Sequence, residues 1–418
     1  MTIGVGGAVG YGRSYANRTF HSLGNPNYRK FWISLIFLMA GINMQHLARG
    51  QLAWDLTHDA FLVALVGAGF APPILIFGLF GGSLADRWNR RRMIQYAQLI
   101  VSLVALFVAI SIVMKFVTIW VLFGAALTQG LCWSFMMPAR QAIIPQLVPD
   151  GELTNAVALN ASGMALMTLS GPAIGGLAYW WIGPEATYFL MSGLMFVAFL
   201  MMTRVRVARP DAAAPGRRRE NVFNSVLDGI RYSARNKTIL VLLLLTLATT
   251  MTSQSFRSLM PAQVDLVFGG DAKELGILMS TIGVGALIGS LFIAGLTENV
   301  KRGVVLLVAG ALSAVAILVS TYVTVFLIGI VAMLALGLGD SGRRALNSAL
   351  ILEQTDAEHR GRVMGIYMLN FGLRPIGAIP LGILAERTSL QTSFAVAGAV
   401  LLVSVILTWI LAPRIRNL

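Results

Sequence analysis

One acid and four arginines crowd a single short turn of this chain: Asp86, Arg87, Arg90, Arg91 and Arg92, entered through Gly82 and set between long apolar runs. The chemistry open to such a set is ion pairing and hydrogen bonding. A carboxylate there can accept from the N-terminus of a neighbouring helix, where the macrodipole favours negative charge. Arg87, Arg90 and Arg91 suit nearby acids or lipid phosphates. A loop that only sets topology is the competing reading.

Other polar residues interrupt apolar runs: Asn43, Gln45, His46, Arg49, Gln51 and Asp55 in one, Gln254 and Arg257 ahead of Asp265 in another, and Arg374 beside Pro375 in a third. A charge in lipid costs several kcal/mol, so such side chains face a partner or a wet cavity. His46 and Arg49, like Gln45 and Arg49, fall one helical turn apart. Substrate contact or a gate is one role for this group. Snorkelling of Arg49 and Arg257 from helix ends to the interface is the other. Asp55 and Asp265 read as outer-loop residues with proton exchange open to them. His46 is of the type that titrates near neutral pH, although a lone histidine also serves as a fixed hydrogen-bonding group. Arg374 lies too deep to snorkel, which points to the cavity or an anion. A structural pair with carbonyls freed by Pro375 is its alternative. Gly171-Pro172-Ala173-Ile174-Gly175-Gly176 brings small residues that permit close helix contact and a proline that loosens the backbone.

Several chemistries are excluded. No Ser/His or His/acid constellation falls within the apolar runs, so an enzyme is not expected. No Gly-x4-Gly-Lys-Ser/Thr loop supports direct ATP use. Four scattered histidines and the single Cys132 make neither a metal site nor a disulfide. No cofactor is implied.

The elements that must hold these residues follow from composition. Hydrophobic residues are 56% of the 418, charged residues only 12%, and mean hydropathy is +0.75. A soluble fold of this size could not bury that surface. Roughly 20 apolar residues span a bilayer as a helix. Apolar runs fall near 31–53, 60–85, 93–114, 117–138, 153–180 and 186–203, then near 238–262, 274–296, 303–322, 324–340, 362–385 and 391–412. They are continuous rather than alternating, which excludes a β-barrel. Residues 1–30 lack the apolar core of a signal peptide and read as a cytoplasmic tail. The net charge of +14 gathers in alternate loops, among them the tail, the 86–92 turn, Arg140, the 205–237 segment and Arg343-Arg344. This bias keeps basic loops cytoplasmic and meets anionic lipid, so nucleic acid is not expected as a partner. Within the polar segment, Asn221 to Ala234 has the apolar spacing of an interfacial helix.

The two halves echo each other. Arg49 and Asp55 have counterparts in Arg257 and Asp265, and Leu84-Ala85-Asp86 in Leu296-Thr297-Glu298. Repeats of this kind build transporters with a site between the halves.

With these residues the chain resembles the major facilitator superfamily from about Asn27 to Arg414. Gly82, Leu84, Asp86, Arg87, Arg90 and Arg91 match its loop between helices 2 and 3, with Asn89 in place of the usual Gly. Asn tolerates positive φ better than most residues. Gly171, Pro172, Gly175 and Gly176 match the core of its antiporter signature, with Met167 where a Gly is usual. Gln129-Gly130 is present, but Ala126 stands where many proton-coupled members carry an arginine. Arg140, Pro145, Glu152, Asp356, Arg360 and Arg362 resemble the branch of siderophore exporters and macrolide or multidrug efflux proteins. The resemblance implies that helices 1 and 7 line the cavity. It also implies that Asp86 meets helix 11 near Gly361 to Met364 when the cytoplasmic side is closed.

The expectation is therefore an all-α integral membrane protein of the major facilitator fold: twelve transmembrane helices in two pseudo-symmetric six-helix bundles. Residues 1–30 form the N-terminal tail, 31–204 the first bundle, 205–237 a cytoplasmic linker, 238–412 the second bundle and 413–418 the C-terminal tail. The expected function is export of an amphipathic small molecule, drug or siderophore-like, by alternating access and proton antiport. It would work as a monomer in the bacterial inner membrane with both termini cytoplasmic, in contact with protons and lipids. An importer or a lipid or lysolipid flippase on the same fold, or a non-transport polytopic protein, are the alternatives.

Overall fold

The computed structural model describes residues 21–77, 89–207, 222–296, 300–356, 359–373 and 377–418. Among these the chain is helical throughout, with no strand. Ten of the described helices are long and apolar enough to cross a bilayer.

In the first half, α1 is Pro26–Thr57, α2 Ala60–Phe77, α3 Arg90–Val113, α4 Ile119–Ile143 and α5 Leu153–Thr203. Next come α6, Val222–Arg235, and α7, Lys237–Ser258, which contains a π-helical turn at Thr250–Gln254. The second half continues with α8 (Met260–Phe268), α9 (Ala272–Ala294), α10 (Arg302–Tyr322) and α11 (Phe326–Glu353). It ends with α12 (Arg360–Leu373), α13 (Ala378–Arg387), α14 (Leu390–Leu411) and a single turn at Pro413–Arg416.

Polar side chains close the helix starts, where backbone N–H groups lack partners. The Asn25 side chain accepts from the Asn27 and Tyr28 amides, with Pro26 following. Asn236 does the same for α7, and Asp271 forms a capping box with Glu274 at α9. Such caps contribute about 1 kcal/mol each.

The 51-residue α5 is too long for one crossing, because at about 1.5 Å per residue it is more than twice the bilayer core. It breaks at Gly183, whose φ of 82° and ψ of 168° suit glycine, with Pro184 next. The break falls between the runs 153–180 and 186–203.

Trp54, near the end of α1, donates from Nε1 to Asp265 Oδ2 of α8 at 2.8 Å. Both halves therefore start at one face, the terminal face, and meet at the opposite, distal face. Arg91 donates to the Thr203 carbonyl. The start of α3 and the end of α5 thus share the terminal face.

The seam between the halves is glycine-lined near the distal face. A Cβ on Gly176 of α5 would lie 2.4 Å from the Ala272 carbonyl oxygen and 2.8 Å from Gly276 Cα, both in α9. A Cβ on Gly382 of α13 would lie 2.9 Å from Phe61 Cα of α2. Backbone therefore packs on backbone at both crossings, as small residues permit in membranes. One apolar core cluster stays within the first half, from Tyr28 to Val205. The other runs across the seam, joining Met44, Leu47 and Trp54 to Phe256 and Met260.

Three expectations are corrected. The run 324–340 does not end at Asp340: α11 continues to Glu353, because apolar residues resume at Ala345, Leu346, Ala349 and Leu350. Arg343 is 2% exposed, so it does not belong to a surface loop. Arg140, also expected in a basic loop, is 2% exposed within α4 and sits 4.4 Å from the centre of the Phe31 ring. Asp55 and Asp265 lie in the last turns of α1 and α8 rather than in loops.

A helix is present where 221–234 was expected to form one, as α6, and it docks on the second half. Tyr232 stacks on His359 at 4.2 Å between ring centres and donates to Asp356 Oδ2 at 2.9 Å.

Candidate functional site

The polar residues of α1 converge on α4. Arg49 Nη1 donates to Gln129 Oε1 at 2.7 Å, and Gln129 Nε2 donates to Gln45 Oε1 at 2.9 Å. Arg49 Nη2 lies 3.4 Å from His46 Nδ1. A guanidinium only donates, so Nδ1 of His46 accepts and the ring is neutral. Arg49 is 4% exposed, while His46 is exposed. Among the described residues no carboxylate lies within ion-pair distance of Arg49. Asn43, one turn before His46, donates to the Met39 carbonyl and packs against Gly171, where a Cβ would lie 2.5 Å from its own Cβ.

The second half builds a charged counterpart. The π turn in α7 ends at Gln254 and precedes Arg257; such turns concentrate at functional sites. Both reach Asp340 at the middle of the 28-residue α11. Gln254 Nε2 and Arg257 Nη2 donate to Asp340 Oδ2 at 3.0 and 3.2 Å. Arg343 Nη2 donates to Oδ1 at 3.2 Å, and Arg344 Nη2 stands 3.7 Å from Oδ2. The Asp340 side chain is 1% exposed and that of Arg343 3%, whereas Arg257 and Arg344 are 25% and 31% exposed. Three arginines thus share one acid. The helices that carry the clusters meet across the seam: a Cβ on Gly50, next to Arg49, would lie 3.4 Å from Pro261, one turn beyond Arg257.

Nearer the distal face, Asp55 accepts from Tyr179 Oη at 2.6 Å and from Gln51 Nε2 at 2.9 Å. Asp265 accepts from Trp54 across the seam. These acids hold the distal face together.

The remaining expected residues are divided. Arg90 donates to the Ala142 carbonyl at 3.0 Å, and Arg91 to the Thr203 carbonyl. Backbone carbonyls are therefore among their partners, where acids or phosphates were expected. Gly82, Asp86, Arg87 and Arg374 lie outside the described residues. In the glycine motif, Gly171 and Gly175 pack on α1, Gly176 packs on α9, and the Pro172 carbonyl oxygen would lie 3.0 Å from a Cβ on Gly276. The motif forms a close crossing of three helices.

Reading the sequence missed Asp340, Arg343 and Arg344 as site residues. The available signal was their i, i+3, i+4 spacing, which lets one acid neutralise its own helix's arginines. A groove lined by Leu307, Val308, Ala311, Val405, Ile406, Trp409 and Ile410 is apolar throughout and holds none of these groups.

Membrane-length helices, a glycine-lined seam and facing polar clusters define a polytopic membrane transporter. The chain belongs to the transmembrane secretion effector family of the major facilitator superfamily, whose model matches residues 17–416. It is 23% identical over 375 residues to the staphyloferrin A transporter of Staphylococcus aureus, covering 88% of this chain and 92% of that one. It is 24% identical over 394 residues to the enterobactin exporter EntS of Citrobacter koseri, covering 94% and 93%. Among solved structures, the nucleoside transporter NupG superposes with a TM-score of 0.75 at 13% identity, covering 91% of this chain and 97% of that one. A bacterial homologue of the lysosomal transporter Spinster, inward-facing and occupied, gives 0.70 at 14% identity, covering 93% and 97%. The structural likenesses show the fold.

Proposed function

We propose that the protein is a secondary active exporter of an amphipathic, siderophore-like small molecule. It works as a monomer in the bacterial inner membrane by alternating access, with protons as the counter-substrate. The carrying observation is the placement of Arg49 with Gln129, and of Arg257 with Asp340, on opposite sides of one seam. A substrate held there touches both halves, and a rocking of one half against the other changes the face to which it is exposed.

Twelve crossings in two bundles of six fit this reading. The break at Gly183 divides α5 into two spans, and α12 with α13 supplies one more beyond the ten long helices. Basic residues at the terminal face support cytoplasmic termini. Similarity to a staphyloferrin A transporter and to an enterobactin exporter supports the substrate type, and the second supports the direction.

Everted vesicles containing the protein test the reading. With an acid interior imposed, an exporter coupled to protons accumulates a fluorescent amphiphile inside the vesicle. Uptake confined to right-side-out vesicles would make it an importer, and indifference to the pH gradient would remove proton exchange.

A further inference from the structure

The charge balance of the seam is one-sided. Among the described residues, the two clusters together contain Arg49, Arg257, Arg343 and Arg344 against the single acid Asp340. Asp340 Oδ1 goes to the buried Arg343 of its own helix. Its Oδ2 is shared among Gln254, Arg257 and Arg344. Arg257 and Arg344 are the partly exposed members, and the only anionic partner of each among the described residues is a share of one carboxylate oxygen; Arg344 Nε adds a bond to the Asp340 backbone carbonyl at 3.3 Å, which is neutral. Buried Nε and Nη1 atoms of Arg343, and Nε of Arg257, have no hydrogen-bond partner among the described residues. Across the seam, Arg49 is met by neutral groups among the described residues. Uncompensated guanidinium groups in a low-dielectric site are matched best by carboxylate-type oxygens, which they bind in bidentate fashion.

We propose that Arg257 and Arg344, with Arg49 from the other half, form a seat for a ligand bearing at least two anionic oxygen groups, and that Asp340 occupies this seat as an internal counter-anion when the ligand is absent. The inference rests on the transport reading above and specifies the substrate's charge. One anionic group of the ligand takes over Arg257 and Arg344 while Asp340 stays with Arg343. A second group reaches Arg49, and the ligand then bridges the halves. Dicarboxylates and tricarboxylates meet this requirement. Neutral amphiphiles do not.

The sign of one substitution separates this seat from its opposite. If Asp340 only competes for the arginines, Asp340→Asn tightens anion binding. If Asp340 were itself the receptor for a cationic drug, the same change would abolish cation binding and leave citrate unbound.

The test uses the full-length protein in lipid nanodiscs with citrate as the probe, read by calorimetry. The expected result is citrate binding that weakens with salt, is lost about tenfold in Arg344→Gln and is gained several-fold in Asp340→Asn. Absence of citrate binding to the unaltered protein overturns the seat. So does tetraphenylphosphonium binding that Asp340→Asn abolishes. Should Asp340→Asn fail to fold, Arg344→Gln decides alone: weaker citrate binding supports the seat, and unchanged binding overturns it. Vesicle uptake of an amphiphile by a protein that binds no anion would sink the seat and spare the exporter. Citrate binding without transport of any solute would do the reverse.

Discussion

His46, Arg49 and Gln129 in the first half stand opposite Gln254, Arg257 and Asp340 in the second. The arginine comes three residues after its neighbour in both sets, and it reaches a partner 80 residues further on in one and 83 in the other. The two sets are alike in spacing and differ in charge. Arg49 donates to a neutral amide, whereas Arg257 donates to a carboxylate that also holds two arginines of its own helix. The first cluster keeps its surplus charge low by leaving one arginine with neutral acceptors. The second crowds three cations around one acid. The two halves therefore differ in what each partner does: Gln129 orients a cation, and Asp340 is one anion shared among three.

The largest expected effect tests that distinction directly. Asp340→Ala leaves three arginines without their anion, and losing one partner of a buried charge pair costs about 3–5 kcal/mol. Gln129→Ala removes a neutral acceptor and costs about 1–3 kcal/mol. SDS-driven unfolding in mixed micelles measures both. Equal losses would mean that the two clusters are compensated alike and would erase the contrast.

How much of this was legible beforehand differs between the halves for the same physical reason. In the first half the polar side chains interrupt an apolar run without ending it, so Asn43, Gln45, His46 and Arg49 are recognisable as membrane-embedded, and the helical spacing of His46 and Arg49 is enough to bring them together. In the second half Asp340, Arg343 and Arg344 fall so close in sequence that hydropathy drops as it does at a loop. The helix continues because the acid and its arginines are mutual partners one turn apart, which removes most of the cost of placing them in lipid. Hydropathy sums charges without pairing them, so it ended this helix thirteen residues early, at 340 rather than Glu353. Arg140 was misassigned on similar grounds, since its stacking on Phe31 has no signature in local composition. The seam was legible in part. The Gly-Pro-x-x-Gly-Gly run pointed to close packing, but its partners, α1 and α9, emerge only from the tertiary arrangement.

An intermediate effect comes from giving the first half the second half's chemistry. Gln129→Glu places a carboxylate on Arg49 and removes the surplus charge of that cluster. Citrate binding should weaken about tenfold, equivalent to about 1.4 kcal/mol. Unfolding resistance should not fall, because the new anion meets a guanidinium already positioned to donate to it. Unchanged citrate affinity would show that Arg49 stands outside the seat and that the ligand is held by the second half alone.

The smallest effect concerns the third pair of counterparts. His46 accepts from Arg49 through Nδ1, and Gln254 is the residue that occupies the equivalent place beside Arg257. A glutamine at 46 offers an amide oxygen that can take the same bond, so His46→Gln should change stability by no more than about 0.5 kcal/mol. His46→Leu removes the acceptor and should cost about 1 kcal/mol, the usual worth of one such bond. Comparing the two in the same unfolding assay isolates the bond from the ring. Equal losses would assign the role of His46 to its edge-on contact with Phe70, 5.8 Å between ring centres. In that case the correspondence between the halves would extend to the arginines and their partners on α4 and α11, but not to the residue one turn before each arginine.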